Sequence, residues 1–191
     1  MFSEAGYIVN NFGTETHSEL FEFESFCPME MNSSIRFPRE QIVRYIQGEI
    51  RRLEIDNKPD IVFVGGQSGV IPFSYGLPED EYTLPTLSVL VATIPHAYIL
   101  CVNLTDDIQF IADNVKVMEG LGKGKLIAVV SPKIKREYLE KTAIVKNTTV
   151  SYQEYKSFAK KIEQHLGVSL YDIMDWKDAD ELFKLICSYF S

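Results

Sequence analysis

The sequence predicts an α/β protein with a mainly parallel sheet of about five strands, covered by helices on both faces. Short apolar runs alternate along the chain with segments that have the 3.6-residue period of amphipathic helices. Apolar runs bounded by turn residues are typical of strands buried on both faces, and such strands form parallel sheets. With 191 residues and 46% hydrophobic content, we expect a single domain over residues 1–191.

The predicted strands are the runs of β-favouring residues between turn signals. They are residues 7–12, 60–64, 97–102, 125–130 and, with a weaker pattern, 142–146. Residues 84–92 are apolar almost throughout. The segments on either side suit a crossover connection between two parallel strands, which favours a buried helix there. Residues 19–37 have no clear period, so we expect a long loop with at most one helical turn.

Helix signals separate these strands. Pro38 suits a first turn, and Ile42, Ile46, Ile50 and Leu53 share one face of a helix that runs to about residue 54. Three further helices are expected. Asp106 would cap the first, and the second would begin at the capping box Ser151–Glu154 and end at Gly167. The third would cover residues 177–189. Lys133–Arg136 is interpreted as a solvated helix start.

Composition narrows the class of function. The formal net charge is −8, which argues against nucleic acid or an anionic membrane as the main partner, because both need a basic surface. No apolar run approaches the length of a membrane span. The three cysteines are far apart and fit neither a metal site nor a disulfide framework, so we expect a cytoplasmic protein with reduced thiols.

The strongest site candidate is the glycine-rich loop after the strand at 60–64. Its residues are Gly65, Gly66, Gln67, Ser68 and Gly69. In open α/β sheets, ligands bind outside the carboxyl ends of strands, and glycines let backbone N–H groups approach a ligand closely. We expect the loop to bind substrate or nucleotide, with Gln67 in a catalytic role. The alternative is a turn that only redirects the chain.

A second polar loop comes after the first predicted strand. Thr14, Glu15 and Thr16 place a carboxylate and two hydroxyls together, and Thr14 and Glu15 suit Mg²⁺ because hard cations prefer oxygen ligands. Glu15 is also a candidate catalytic residue. The alternative is a solvated turn whose Thr or Ser side chains cap the next segment.

Two further features have a ligand interpretation. Asn103 follows the strand at 97–102 and could contact a ligand from the same sheet edge, although a buried Cys101 and a capping Asp106 explain this region without one. The aromatic and acidic segment 19–37 is either a mobile flap or a surface for a partner protein. The sequence contains neither Gly-x-x-x-x-Gly-Lys-Ser/Thr nor Gly-x-Gly-x-x-Gly.

Several runs together resemble a known family. They are Gly6–Val9, Gly13–Phe21, Cys27–Met29, Asn32–Ser33, Pro59–Pro72, Thr83–Pro85 and Pro95–Asn103. The chain is similar over most of residues 6–131 to the carboxyl-terminal part of the D-glutamate N-acetyltransferase-like family, whose members carry a P-loop NTPase-like domain. Related members are associated with peptide maturation.

The resemblance implies a domain that lacks its first strand, phosphate loop and first helix, since those would precede Gly6. It places Thr14 and Glu15 near magnesium and phosphates, and Gly66, Gln67 and Ser68 at the end of the strand with the second nucleotide-binding motif. The acidic residue usual there is missing at Gly65 and Gly66, which puts hydrolysis in doubt. Without the lysine of the phosphate loop, strong nucleotide binding by this chain alone is not expected.

These observations leave two hypotheses. In the first, the chain is a segment of a P-loop-like enzyme that acts on an amino acid or peptide substrate by acyl or phosphoryl transfer, with Mg²⁺ and ATP or another nucleotide in the intact protein. In the second, it is a non-catalytic binding or assembly module that has lost nucleotide binding and contacts a partner protein through residues 19–37.

Overall fold

Parallel strand pairing dominates the chain in the computed structural model, which describes residues 1–13, 23–25, 39–66, 69–71, 83–138 and 145–191. Helices follow most of the parallel strands along the chain, which confirms the predicted α/β class. The chain divides into two compact units, Met1–Pro95 and His96–Ser191. The expectation of one domain over residues 1–191 stays a prediction. Across the described ranges, no helix combines the length and apolar character that a membrane span requires.

The amino-terminal unit is built around one central strand. Its elements are β1 (Val9–Gly13), β2 (Glu24–Ser25), α1 (Arg39–Asp56), β3 (Ile61–Val64) and α2 (Thr83–Thr93). The strand order is β2-β1-β3, with both pairs parallel. Phe12 on β1 is buried in the core of this unit, whose other buried members come from α1 and α2: Ile46, Leu53, Val89 and Ala92. The buried side chain of Phe12 therefore anchors the carboxyl end of β1.

The carboxyl-terminal unit is a second parallel sheet with a hairpin. Its elements are β4 (Ala97–Cys101), α3 (Ile108–Leu121), β5 (Lys125–Val130), β6 (Ile134–Tyr138), β7 (Val145–Thr149), α4 (Tyr152–Leu166), β8 (Leu170–Tyr171) and α5 (Trp176–Phe190). The parallel order is β4-β5-β8, and β6 pairs antiparallel with β7. The side chains of Ala128 and Val129 on β5 are completely buried, as expected of a central strand.

The predicted ends of α4 are confirmed. The hydroxyl of Ser151 accepts the Glu154 N–H, while the Glu154 carboxylate accepts the Ser151 N–H, so both halves of the capping box are present. Gly167 ends the helix in the left-handed conformation, with φ of 71°, and donates its N–H to the Glu163 carbonyl.

Three local predictions are wrong. Of the expected loop at 19–37 the structure describes residues 23–25, and there Glu24–Ser25 is a strand that pairs with β1; the rest of this segment lies outside the described ranges. Asp107 caps α3 through the Phe110 N–H, whereas the neighbouring Asp106 accepts the Asn103 N–H and closes a turn before the helix.

The third error is at Lys133–Arg136, which lies before and within strand β6 and does not start a helix. The hairpin partner, β7, runs over Val145–Thr149, later than the expected strand at 142–146. All five residues of β7 are exposed, so the hairpin carries no buried face from which an alternating pattern could be recognised.

Candidate functional site

The carboxyl ends of β1 and β3 lie side by side. Val9 is opposite Ile61, and Phe12 is opposite Val64. The N–H of Gly65 then donates to the carbonyl oxygen of Phe12 at 2.8 Å, which extends the pairing by one residue. The two loops that the sequence predicts as ligand sites therefore leave the sheet from adjacent positions on the same edge. We call Gly13, Gly65 and Gly66 the glycine edge.

Only part of the predicted site lies within the described residues. Gly65, Gly66 and Gly69 are described, and Thr14, Glu15, Thr16, Gln67 and Ser68 lie outside the described ranges. The roles of those five residues stay predictions. Val70, directly after Gly69, is buried, so the glycine-rich loop is fixed by β3 at one end and by Val70 at the other.

Gly65 and Gly66 are both exposed, and neither is required by a left-handed backbone. A Cβ at Gly65 would lie 3.5 Å from the Phe12 carbonyl oxygen, and one at Gly66 would lie 3.8 Å from Cγ2 of Thr86; both are ordinary contacts. The fold would therefore accept alanine at either position. What the missing side chains provide is open access to the backbone from solvent, which is what a ligand needs for close approach.

The neighbour of Gly66 belongs to the first turn of α2. Thr86 is buried there, and the first turn of α2 contains no acidic residue. A helix amino terminus carries a partial positive charge from its N–H groups. Gly66 therefore lies beside Thr86, near a helix end that suits a polar or anionic group.

The predicted Mg²⁺ and nucleotide cannot be assigned ligands from the described part of the chain. Thr14 and Glu15 lie outside it, and within it no three His, Cys, Asp or Glu residues are grouped closely enough to hold a metal. Mg²⁺ and ATP stay predictions.

Asn103 follows β4 as expected, but its side-chain amide is hydrogen-bonded to the protein backbone. Its Nδ2 donates to the Arg136 carbonyl at 2.9 Å, and its Oδ1 accepts the Arg136 N–H at 3.2 Å. Both ends of the side chain thus hold the backbone of β6, which indicates an anchoring function. The binding role of Asn103 stays a prediction. Nearby, Cys101 is exposed, so the expectation of a buried cysteine is wrong. Partial desolvation still raises the pKa of its thiol, which disfavours the thiolate needed in a nucleophile.

A group that the sequence reasoning missed lies at the carboxyl ends of β5 and β8. Lys133 Nζ is 3.1 Å from Oδ2 of Asp172 and 5.3 Å from the ring centroid of Tyr155. Asp172 is only 4% exposed, and the Tyr155 hydroxyl donates to the Ser131 carbonyl at 3.4 Å. Lys133 follows a predicted strand, so the end-of-strand rule that selected Gly65 could also have selected it, whereas Asp172 follows the two-residue β8, which has no strand pattern in the sequence.

Electrostatics stabilise this group in one protonation state. The hydrogen bond that the Lys133 ammonium donates to the Asp172 carboxylate raises the pKa of Lys133, so the ammonium form is favoured. Burial, together with the charges of Asp172, Asp178 and Asp175, raises the pKa of Tyr155 and keeps its phenol protonated. A charged lysine, a paired carboxylate and a neutral phenol therefore hold the ends of β5 and β8 together.

The comparisons with known proteins bear on the fold. No family model matches the chain, and no curated protein matches it. A solved structure does. The chain is similar to a DUF1611 family protein from Anabaena variabilis, with a TM-score of 0.65 and 11% sequence identity. The match covers 98% of this chain and 50% of that one, so the chain spans about half the length of this neighbour.

At that identity the match speaks for the fold alone. It agrees with the α/β arrangement of parallel strands and flanking helices, which is Rossmann-like. Membership of the D-glutamate N-acetyltransferase-like family stays a prediction.

Proposed function

We propose that this chain is part of a P-loop-like enzyme that binds an amino acid or peptide at the glycine edge and takes part in acyl or phosphoryl transfer to it. One observation carries the proposal. The parallel register of β1 and β3 brings the starts of two predicted ligand loops together, with the Gly65 N–H bonded to the Phe12 carbonyl between them. Edges of this kind are where α/β proteins bind ligands.

The proposal gives each loop a task. Backbone N–H groups of residues 66–69 hold a polar or anionic group of the substrate, and Gln67 and Ser68 orient it. On the neighbouring loop, Glu15 acts as a base or, with Thr14, as a metal ligand, and Thr16 adds a contact. A bound nucleotide with Mg²⁺ would supply the transferable group and neutralise developing charge. The proposal places this enzyme in the cytoplasm.

A glycine substitution tests the proposal. We would titrate the wild-type chain with MgATP, D-glutamate and acetyl coenzyme A in a calorimeter, then repeat the titrations with Gly66→Ala. The added methyl group has space within the fold, since Thr86 Cγ2 is 3.8 Å away, but it narrows the approach to the loop backbone. We expect at least one ligand to bind, and its Kd to rise about tenfold or more, which is about 1.4 kcal/mol.

Gly48→Ala is the matched control. Gly48 lies on α1, is exposed, and would have no atom within 4 Å of an added Cβ. Alanine there should stabilise the helix by about 0.5–1 kcal/mol without changing ligand affinity. Absence of binding by all three ligands, or equal affinity in both variants, would contradict the proposal.

The alternative of a binding module is favoured by the position of β2. In the order β2-β1-β3, Glu24–Ser25 is one of the two outer strands among the described residues of this sheet, and outer strands can pair with an added strand from a partner. A partner captured by the full chain but not by a chain without residues 19–37, combined with no small-molecule binding, would support this alternative.

A further inference from the structure

The turn between β8 and α5 presents three large apolar side chains to solvent. Ile173 is 49% exposed, Met174 is 76% exposed and Trp176 is 73% exposed. We call these three residues the apolar turn. Only Asp175 separates them in the sequence, so they form a local apolar group. Trp176 is the single tryptophan of the chain. Scattered exposed apolar residues are normal, whereas a group of this size in one turn marks an interaction surface.

Hydrogen bonds to aspartate side chains fix the backbone of this turn. Oδ1 of Asp172 accepts the Met174 N–H at 3.0 Å, and its Oδ2 pairs with Lys133. Asp178 in turn accepts the Asp172 N–H at 2.8 Å. Asp175 caps α5 by accepting the Lys177 N–H at 2.9 Å. The buried carboxylate of Asp172 thus fixes a segment whose own apolar side chains stay in water.

The exposed side chains of the apolar turn contribute little to folding. Burying a carboxylate is unfavourable unless it is paired, and side chains that remain exposed gain almost no hydrophobic free energy. A rigid turn does lower the entropy lost when a partner binds. Tryptophan is also the residue type most enriched among those that dominate binding energy at protein interfaces. The apolar turn therefore has the properties of a preformed binding surface.

The charge around the apolar turn selects the partner. Residues 172–181 contain five carboxylates, and three lysines pair with them: Lys133, Lys177 and Lys184. An excess of negative charge remains on this segment, as on the whole chain with its net charge of −8. Such a field attracts cationic groups, and the exposed face of Trp176 can hold a lysine or arginine by a cation–π interaction.

We propose that the apolar turn docks a cationic peptide segment of a partner protein, in which apolar side chains alternate with lysine or arginine. The apolar side chains would contact Ile173, Met174 and Trp176, and the cations would contact the surrounding carboxylates. This proposal is independent of the enzyme proposal, because it uses none of the residues of the glycine edge.

A synthetic peptide tests it. A fluorescein-labelled peptide of alternating leucine and lysine would be titrated with the full chain by fluorescence anisotropy, beside a peptide in which glutamate replaces every lysine. We expect the lysine peptide to bind with salt-sensitive affinity and the glutamate peptide not to bind. Trp176→Ser should weaken binding about tenfold or more. Because Trp176 is mostly exposed, its loss should leave the melting temperature nearly unchanged.

The matched control is Leu121→Ser. Leu121 is 51% exposed and ends α3, before β5 begins, so it lies at the opposite end of this sheet from the apolar turn. It should leave peptide affinity unchanged, as should Gly48→Ala, since Gly48 is exposed on α1 and belongs to neither proposed site. Should Trp176→Ser unfold the chain, Met174→Ser replaces it as the test variant.

Three results would overturn the proposal. One is equal binding of the two peptides, or equal binding by the turn variants and the wild type. Another is self-association of the wild-type chain that Trp176→Ser abolishes, since a second copy would then be the occupant. The third is binding to phosphatidylcholine vesicles that requires Trp176, since the occupant would then be a lipid surface.

Discussion

The ammonium of Lys133 lies 3.1 Å from Oδ2 of Asp172 and joins the loop after β5 to the residue that follows β8. This ion pair is partly shielded from water, since Asp172 is 4% exposed and the Lys133 side chain is 32% exposed. Breaking this ion pair should therefore cost more stability than breaking one of the ion pairs on the helix surfaces.

Asp172→Ala should lower the free energy of unfolding by about 2–3 kcal/mol, because it leaves Lys133 and the Met174 N–H without their carboxylate. The midpoint of urea unfolding measures this loss. Asp180→Ala is the control, because Asp180 pairs with an exposed Lys184 on the surface of α5 and should not move the midpoint measurably. Equal effects of the two substitutions would contradict the structural role given to Asp172.

The same group predicts a loss of stability in alkali. Lys133 and Tyr155 both have raised pKa values in the folded chain, so the folded state holds protons that the unfolded state releases above about pH 10. Their contribution to stability is therefore present below that pH and is lost as the pH rises beyond it.

Tyr155→Phe removes one of these protons. Between about pH 10 and 12, the fall of unfolding free energy should become shallower by up to about 1.4 kcal/mol per pH unit. Denaturant titrations at several alkaline pH values measure the slope. Tyrosine absorbance should also show one late-ionising group fewer in this variant. An unchanged slope would show that Tyr155 ionises as an ordinary tyrosine.

Ile94 has a φ of 44°, in the left-handed region that β-branched residues rarely adopt. Its N–H donates to the Leu90 carbonyl and so closes the end of α2, and its side chain is 55% exposed. Ile94→Gly should stabilise the chain by about 1 kcal/mol, because glycine adopts this conformation without steric strain. Thermal and urea unfolding would test this, and a loss of stability would indicate that the isoleucine side chain makes contacts that outweigh the strain.

Asn103 offers a test between anchoring and ligand binding. Asn103→Ala should cost about 1–2 kcal/mol, since two hydrogen bonds to the Arg136 backbone are lost, and should speed hydrogen exchange at the Arg136 N–H. Asn103→Asp should be at least as damaging, because an oxygen would then face the Arg136 carbonyl. A variant that exchanges as slowly as the wild type but binds ligand more weakly would instead assign Asn103 to the binding site.

Local signals in the sequence predict much of this fold. The capping box at Ser151 and Glu154, the left-handed Gly167 and the apolar run before Gly65 each depend on residues within a few positions of one another. Such interactions are specified by spacing alone. For the same reason the position of Gly65 and Gly66 directly after a strand could be predicted, whereas the pairing of β1 with β3 that brings Gly13 beside them is not local.

Features that depend on distant pairing could not be predicted in the same way. Lys133 and Asp172 meet only because β5 pairs with β8, and β8 is two residues long, too short to show any period. The β6–β7 hairpin is exposed along β7, so its sequence lacks the apolar alternation of a half-buried strand. The apolar turn was missed because Trp176 suits the start of a helix equally well whether it is buried or exposed.

The pairing of β5 with β8 also sets an order for folding. Val129 lies opposite Leu170, so the chain must close a loop of about forty residues before this edge of β5 is covered. During synthesis, β4, α3 and β5 emerge first, and the apolar strand Leu126–Val130 then has one open edge until residues 170–171 arrive. A chain shortened before β8 would keep that edge open permanently and should aggregate.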